Sequence, residues 1–272
     1  VGKKSSIKYG GTNCSLTNPG AGDRIMEERG RTMPRFFVEA LSDTVVMTGE
    51  DARHISRSLR MRVGESLTLC DGRGNEAEGT IVSFSADAVS VRLREFYPSE
   101  SEPKTEVSLY LAVSKGDKLE LVVQKAVEIG AAEIVLLLTS RCISRPKGPD
   151  AEKKVARLQR IALEAAKQSG RGRVPAVRGI LSFSQALDEM EQFPASFTLY
   201  EGECPPLRAQ LPGAPCKTAL LIGSEGGFSP DEIAVARAHS VCPASLGPRI
   251  LRCETAPLAA LSALLFAMGD LD

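Results

Sequence analysis

Two glycine-bearing segments near the carboxyl end hold the residue types best suited to gripping a polar ligand. The first is Leu220-Leu221-Ile222-Gly223-Ser224-Glu225-Gly226-Gly227-Phe228-Ser229-Pro230-Asp231-Glu232, an apolar strand running through a glycine-rich loop into a helix. Without side chains at Gly223, Gly226 and Gly227, the backbone can take positive φ and approach a ligand closely. Ser229, Pro230 and Glu232 form a helix-start signal: a capping serine, proline at the first helical position, and a capping-box carboxylate. Backbone amides at such a start can face a polar group. Taken alone, the segment serves equally well as a ligand cradle or as an ordinary tight turn between strand and helix.

The second segment is Leu246-Gly247-Pro248-Arg249-Ile250-Leu251-Arg252-Cys253-Glu254-Thr255-Ala256, followed by an Ala/Leu-rich helix reaching Met268. A stiff Gly-Pro turn here precedes two arginines that flank an Ile-Leu pair. Guanidinium groups can hold a substrate and stabilise an anion that forms on it, and Glu254 can accept a proton or orient an arginine. A structural ion pair capping the last helix is the competing role for Glu254, and Thr255 reads as a helix cap rather than a catalyst. Two such loops with one short helix between them are hard to explain as coincident turns. No G-x-G-x-x-G fingerprint and no G-x-x-x-x-G-K-[ST] loop occurs, so hydride transfer and nucleotide hydrolysis have no support.

These loops need a layered scaffold. From residue 104 onward the hydrophobic period alternates between strand and helix. Strands are predicted at 107–113, 133–139, 196–200, 218–222 and 244–246. Helices are predicted at 118–129, where Leu119, Val122, Ala126 and Ile129 share a face, around Val155, Leu158, Ile161, Ala162 and Ala165, after Ser182, and from Pro230. Strands alternating with helices imply an α/β layer with a mostly parallel sheet. Ahead of it, residues 35–38, 45–47, 66–70, 76–85 and 88–95 read as strands of a small β-barrel, interrupted by a short helix at 51–59. Residues 97–105 form a polar, proline-punctuated linker. Residues 1–32 carry no hydrophobic period and read as a mobile extension, with Met33 the natural start of the folded part.

Composition narrows the classes further. A chain of 272 residues has room for two modest domains. No apolar run approaches the length needed to span a membrane, and no secretory h-region is visible. Seven cysteines without a C-x-x-C pair fit reduced thiols of the cytoplasm, and with only two histidines, His54 and His239, no metal site is expected. Net charge is zero, but local charge is uneven. Arg141, Arg145, Lys147, Lys153, Lys154, Arg157, Arg160, Lys167, Arg171 and Arg173 face only Asp150, Glu152 and Glu164 in the same stretch, and Arg53, Arg57, Arg60 and Arg62 form a second cluster. Each can be a solvated helix face or a phosphate-gripping surface.

The two glycine loops resemble the "IGPEGG(F/L)S" and "LG-R-ILR-ETA" loops of the ribosomal RNA uridine-N3 methyltransferases, the RsmE family of the SPOUT superfamily. Other segments match that family in order. Met33-Pro34-Arg35-Phe36-Phe37 resembles its start, and His54-Ile55-Ser56-Arg57-Ser58-Leu59-Arg60 its "H…VLR" segment. Gln124-Lys125-Ala126-Val127-Glu128-Ile129-Gly130 resembles "QK-TELG", and Gln168-Ser169-Gly170-Arg171 resembles "EQS-R". The resemblance covers residues 33–272. Departures are Ser224 for the usual proline, Lys167 for the glutamate before Gln168, and Pro257 after the "ETA".

That resemblance implies a PUA-like RNA-binding β-barrel over residues 33–103, then a SPOUT methyltransferase domain over 104–272. This second part is an α/β parallel-sheet domain tied in a trefoil knot that binds S-adenosylmethionine in a bent shape. Backbone groups of Leu221, Ile222, Gly223, Glu225, Gly226 and Gly227 are implied to meet the cofactor. Leu246, Gly247, Ile250 and Leu251 close the other side, with Tyr200 and Glu201 at the floor. Arg249, Arg252 and Glu254 are the implied catalytic groups. Arg35, His54, Arg57, Arg60, Gln168 and Arg171 are implied to contact RNA. The expected substrate is a uridine of 16S rRNA in the decoding region of the small subunit, and the expected assembly is a cytoplasmic homodimer. Methyl transfer to N3 is an in-line displacement, in which holding the reactants at attack distance can supply about 7–11 kcal/mol of the barrier. The base must first be splayed out, because pairing hides N3. Two rivals stand beside this reading: a SPOUT enzyme acting on another RNA or on ribose 2′-oxygen, and a non-catalytic assembly factor of the same fold.

Overall fold

The structure, a computed structural model, describes residues 33–271, and the extension expected over residues 1–32 lies outside them. The amino-terminal part is a five-stranded sheet built from β1 (Arg35–Phe37), β2 (Thr44–Thr48), β3 (Ser66–Cys70), β4 (Asn75–Phe84) and β5 (Ala88–Pro98), in the order β1-β3-β4-β5-β2. β1 pairs parallel with β3, and the remaining pairs are antiparallel. Strand residues of alternate parity point inward, so Leu67, Leu69, Ala77, Ile81, Val89 and Val91 fill one core with Phe36, Met47 and Ile55. A turn at Asp71-Gly72-Arg73-Gly74 joins β3 to β4, where the Asp71 carboxylate accepts from the amides of Arg73 and Asn75. Between β2 and β3 lies α1 (Gly49–Arg53), continued by a π-helical turn (His54–Ser58). β5 runs three residues past the expected strand end, so the linker starts after Pro98.

The carboxyl-terminal part is a six-stranded sheet in the order β11-β9-β10-β6-β7-β8, and every pair in it is parallel. Its strands are β6 (Val107–Ala112), β7 (Glu133–Leu138), β8 (Ala176–Ser182), β9 (Ala195–Leu199), β10 (Thr218–Ile222) and β11 (Cys242–Ala244). β6 and β10 are buried along their whole length, as expected of central strands covered on both faces. Alternation along them decides which helix goes where. Leu109, Leu111, Ile134, Leu136, Leu220 and Ile222 point to a face covered by α2 (Lys118–Ile129), α3 (Pro149–Ser169) and α6 (Ala256–Ala267). Tyr110, Val135, Leu137, Ala219 and Leu221 point to the other, covered by α4 (Phe183–Met190) and α5 (Pro230–Ala238). β8 was not expected from the sequence. It is an edge strand whose alternation is broken by Arg178 and Gly179, and only Val177 in it is buried. β11 lies two residues earlier than predicted.

The two sheets are joined by a dense polar junction that the sequence reading missed. Arg171, 3% exposed, donates to the carbonyls of Val127 and Ala131 and to the Glu102 carboxylate of the linker. Glu102 also accepts from the Arg173 amide. On the other side, Gly74 donates to the Gly172 carbonyl, and Val174 to that of Gly72. Arg35 pairs with the buried Glu76, which also accepts from Ser99. The chain end is fixed to the same linker, where Asp270 accepts from the amides of Lys104 and Thr105.

Candidate functional site

The carboxyl ends of β9, β10 and β11 lead into residues 200–201, the first glycine loop and the second glycine loop. This is the edge at which open parallel sheets bind ligands. In the first loop the Gly227 amide donates to the Ser224 carbonyl at 2.9 Å, and Gly227 sits at φ +63°. A Cβ at Gly223 would lie 3.1 Å from backbone atoms of Gly227, so any side chain there would crowd the closed turn. The helix that follows starts as its sequence predicts. Ser229 caps the Glu232 amide, and the Glu232 carboxylate accepts from the Ser229 amide. Glu232 also accepts from the Ser140 amide at 2.7 Å, which draws in the segment after β7. From that segment Arg141 donates to the Gly226 carbonyl at 2.7 Å. Ser224, at the position of the family's usual proline, is 4% exposed, and its hydroxyl has no hydrogen-bond partner among the described residues.

In the second loop Gly247, at φ +101°, faces open space, and its amide donates to Ser245 Oγ. The loop re-enters helix through Thr255 and Ala256 amides that donate to the Arg252 carbonyl. Thr255 occupies the residue before α6, but its hydroxyl makes no capping bond, which corrects the expectation of a side-chain cap.

Both loops open onto one cleft of about 380 Å³, lined by Ile222, Gly223, Glu225, Gly226, Gly227, Ile250, Leu251, Arg252 and Glu254, with Glu201 at its side. An adjoining cavity is lined by Tyr200, Leu246, Gly247 and Arg249 and shares Glu201, Ile250 and Leu251 with the first. The structure therefore brings together the candidate cofactor and catalytic residues, with one exception. Leu221 is fully buried on the α4–α5 face, so only its backbone is available to a ligand.

Lys118, the first residue of α2, ties the loops together and was not singled out by sequence. Its Nζ lies 3.3 Å from Glu225 Oε1 and 3.7 Å from Glu254 Oε2, with Cys253 Sγ at 3.9 Å. Desolvation opposes the Lys118 charge, but the bond to Glu225 and the nearby Cys253, Glu254 and Glu225 charges together outweigh it and raise the Lys118 pKa. Glu225 is held below the ordinary carboxylate range. Desolvation works against its charge and is overcome by bonds from its own amide, the Lys115 amide and Lys118. Glu254 is also lowered, chiefly by its own backbone amide and then by the Cys253 thiol. Cys253 is pushed up to about 11 by desolvation and by Glu254. A carboxylate so stabilised is a weak proton acceptor, and its ion pair with Lys118 suits an anchor of the second loop.

Of the residues expected at RNA, His54, Arg57 and Arg60 are exposed on the π-helical turn and the residues after it. Such turns recur at functional sites. Arg60 holds φ +53°, an uncommon conformation for a side-chain-bearing residue. Gln168 is exposed on a groove between α2 and α3 that Gln124, Arg157 and Arg160 also line. Arg171 and Arg35 require correction. Arg171 is buried with its guanidinium bound to two carbonyls and Glu102, and Arg35 is committed to Glu76, so both belong to the junction. Among the described residues no cluster of His, Cys, Asp and Glu has metal-binding geometry.

Comparison with known proteins agrees with this geometry. Residues 100–265 match the family described as an RNA methyltransferase domain, and residues 47–94 the RNA methyltransferase PUA domain. The chain is 36% identical over 245 residues to ribosomal RNA small subunit methyltransferase E of Bacillus subtilis, covering 85% of this chain and 96% of that one. It is 31% identical over 242 residues to the protein of the same name in Synechocystis, covering 88% and 77%. Among solved structures, ribosomal RNA small subunit methyltransferase E from Neisseria gonorrhoeae, bound to S-adenosyl methionine, superposes with a TM-score of 0.76 at 31% identity, covering 87% of this chain and 98% of that one.

Proposed function

Because this chain belongs to the ribosomal RNA small subunit methyltransferase E family, whose members methylate rRNA with S-adenosylmethionine, we propose that it methylates N3 of a uridine in 16S rRNA. The target on this reading lies in the decoding region of the small subunit. The observation that carries the proposal is the convergence of two glycine loops, at the carboxyl edge of a parallel sheet, on one cleft bridged by Lys118.

The residues present fit the cofactor. The cleft has the volume of a small-molecule site, glycines expose the backbone along one wall, and Ile250 and Leu251 offer apolar surface on the other. When bound, S-adenosylmethionine supplies an electrophilic methyl group on a sulfonium. Backbone groups from Ile222 to Gly227 would hold its polar parts, and Leu246, Gly247, Ile250 and Leu251 would close over it. The same reading ties these loops in a trefoil knot and divides the chain into a barrel over 33–103 and a methyltransferase domain over 104–272.

Uridine N3 carries a weakly acidic proton, so the site must stabilise the anion left when it departs. Arg252 lines the cleft and Arg249 the adjoining cavity, and neither guanidinium has a partner among the described residues. Arg252→Ala is expected to lower turnover at least 100-fold, as loss of one anion-stabilising donor does, while S-adenosylmethionine affinity changes less than about threefold. Equal losses in single-turnover rate and in calorimetric affinity would move Arg252 to the cofactor. His54, Arg57 and Arg60 would grip RNA on the amino-terminal sheet.

A homodimer accords with the apolar surface left on the last helix, where Phe266 is 64% exposed beside exposed Ala263 and Ala267. Phe266→Glu is expected to convert a dimer to a monomer in sedimentation velocity; an unchanged mass would place the subunit contact elsewhere. Among the described residues no helix is long and apolar enough to cross a membrane; work on ribosomal subunits, on the proposed reading, takes place in the cytoplasm. The deciding experiment incubates the protein with unmodified small subunits and labelled methyl donor, then digests the RNA for nucleoside mass spectrometry. N3-methyluridine is the expected product; label on ribose 2′-oxygen, or none, would overturn the reading.

A further inference from the structure

We infer that Glu201 is the counter-charge by which the cleft prefers the cationic methyl donor over its neutral demethylated product, an inference that rests on the function proposed above. Glu201 follows β9 at the ligand-binding edge of the sheet and lines both the cleft and the adjoining cavity. Gly227 makes room for it: a Cβ there would lie 2.9 Å from Glu201 Oε1 and 3.3 Å from Oε2.

Three carboxylates line the cleft, those of Glu201, Glu225 and Glu254, against the two cations Lys118 and Arg252. Two of the three are engaged. Glu225 accepts from the Lys115 amide and from Lys118, and Glu254 lies beside Lys118 and accepts from the Cys253 thiol. Glu201 accepts no hydrogen bond and forms no ion pair among the described residues. The adjoining cavity adds a third cation, Arg249, but neither it nor Arg252 bonds Glu201, which remains a carboxylate without a partner among the described residues. In a concave, partly apolar site such a group favours whichever ligand brings a positive charge.

S-adenosylmethionine carries an ammonium, a carboxylate and a sulfonium, and so has one net positive charge. Its product, S-adenosylhomocysteine, keeps the ammonium and the carboxylate but has a neutral thioether. The two ligands share every other group. A carboxylate that acts on their difference in charge therefore strengthens donor binding alone and helps the product leave. Because Glu201 is exposed to solvent, screening holds the effect to about fivefold.

The test is calorimetric titration of wild-type protein and Glu201→Gln with each ligand. The variant is expected to bind S-adenosylmethionine about fivefold more weakly, with S-adenosylhomocysteine changed less than about twofold. Glu201→Asp should keep the wild-type preference, and raising the salt concentration should narrow it in wild-type protein. Parallel weakening of both ligands would overturn the inference, because Glu201 would then touch a group that they share. No change in either ligand would overturn it too. Wild-type protein that binds neither ligand would overturn the functional reading itself, a result distinguishable from both.

Discussion

Arg171→Met is expected to cost about 3–5 kcal/mol of folding stability, the range found when one partner of a buried ion pair is removed. The arginine spans the linker and the end of α2. Its guanidinium binds the Val127 and Ala131 carbonyls and the Glu102 carboxylate, and its side chain is 4% exposed. Methionine fills much of the same volume but removes the side-chain donor of the Ala131 carbonyl and the counter-charge of Glu102, leaving Glu102 only the Arg173 amide and Val127 only the Gly130 amide. Arg171→Lys restores the charge but not the planar fork, so it should recover only part of the loss. Urea titration with matched slopes measures both variants. A loss below about 1 kcal/mol for the methionine variant would show that water replaces the guanidinium and that the junction is not what holds the sheets together.

Gly223→Val is expected to weaken S-adenosylmethionine binding at least 100-fold, about 2.7 kcal/mol, with the fold retained. A Cβ at this position would sit 3.1 Å from the carbonyl carbon and Cα of Gly227 and 3.2 Å from the Phe228 ring. Those first contacts are backbone, so no flexible side chain can swing aside, and branching at the β-carbon enlarges the clash. Relief requires the first loop to open, which separates the two walls of the cleft. Calorimetry measures the affinity and circular dichroism the fold. Near-wild-type affinity in a folded variant would remove this loop from the cofactor site.

Much of the scaffold was legible because it is written locally. β3, β10 and α2 begin and end where hydrophobic period and turn residues place them, and the Ser229–Glu232 capping box forms as its spacing dictates. β8 escaped because an edge strand buries little, and Arg178 and Gly179 erase its alternation. The larger misses share another cause. Arg171 sits between glycines after a helix and reads as a surface residue; its burial comes from Glu102, 69 residues away in the chain. Lys118 is an ordinary helix-start lysine until Glu225, 107 residues later, folds back onto it. Ion pairs between distant segments leave no periodicity, whereas a cap or an amphipathic face does.

The residues that the family resemblance singled out line two adjoining cavities, but the resemblance does not assign duties within them. Glu254 illustrates the difference. Its motif position made it a candidate base, yet its lowered pKa and its place beside Lys118 give it the character of an anchor.

The junction around Arg171 has a consequence for the kind of RNA that can be read. An arginine fork, a carboxylate bridge and amide bonds from Gly74 to Gly172 and from Val174 to Gly72 tie the sheets together at several points. On the function proposed above, the molecule would act as a set calliper, with one jaw on the His54–Arg60 surface and the other at the cleft between the glycine loops. Such a tool selects by span: an RNA qualifies when its phosphates and its splayed base stand the fixed distance apart, whatever nucleotides lie between. Folded, protein-supported RNA keeps that distance, and loose strands sample it only in passing.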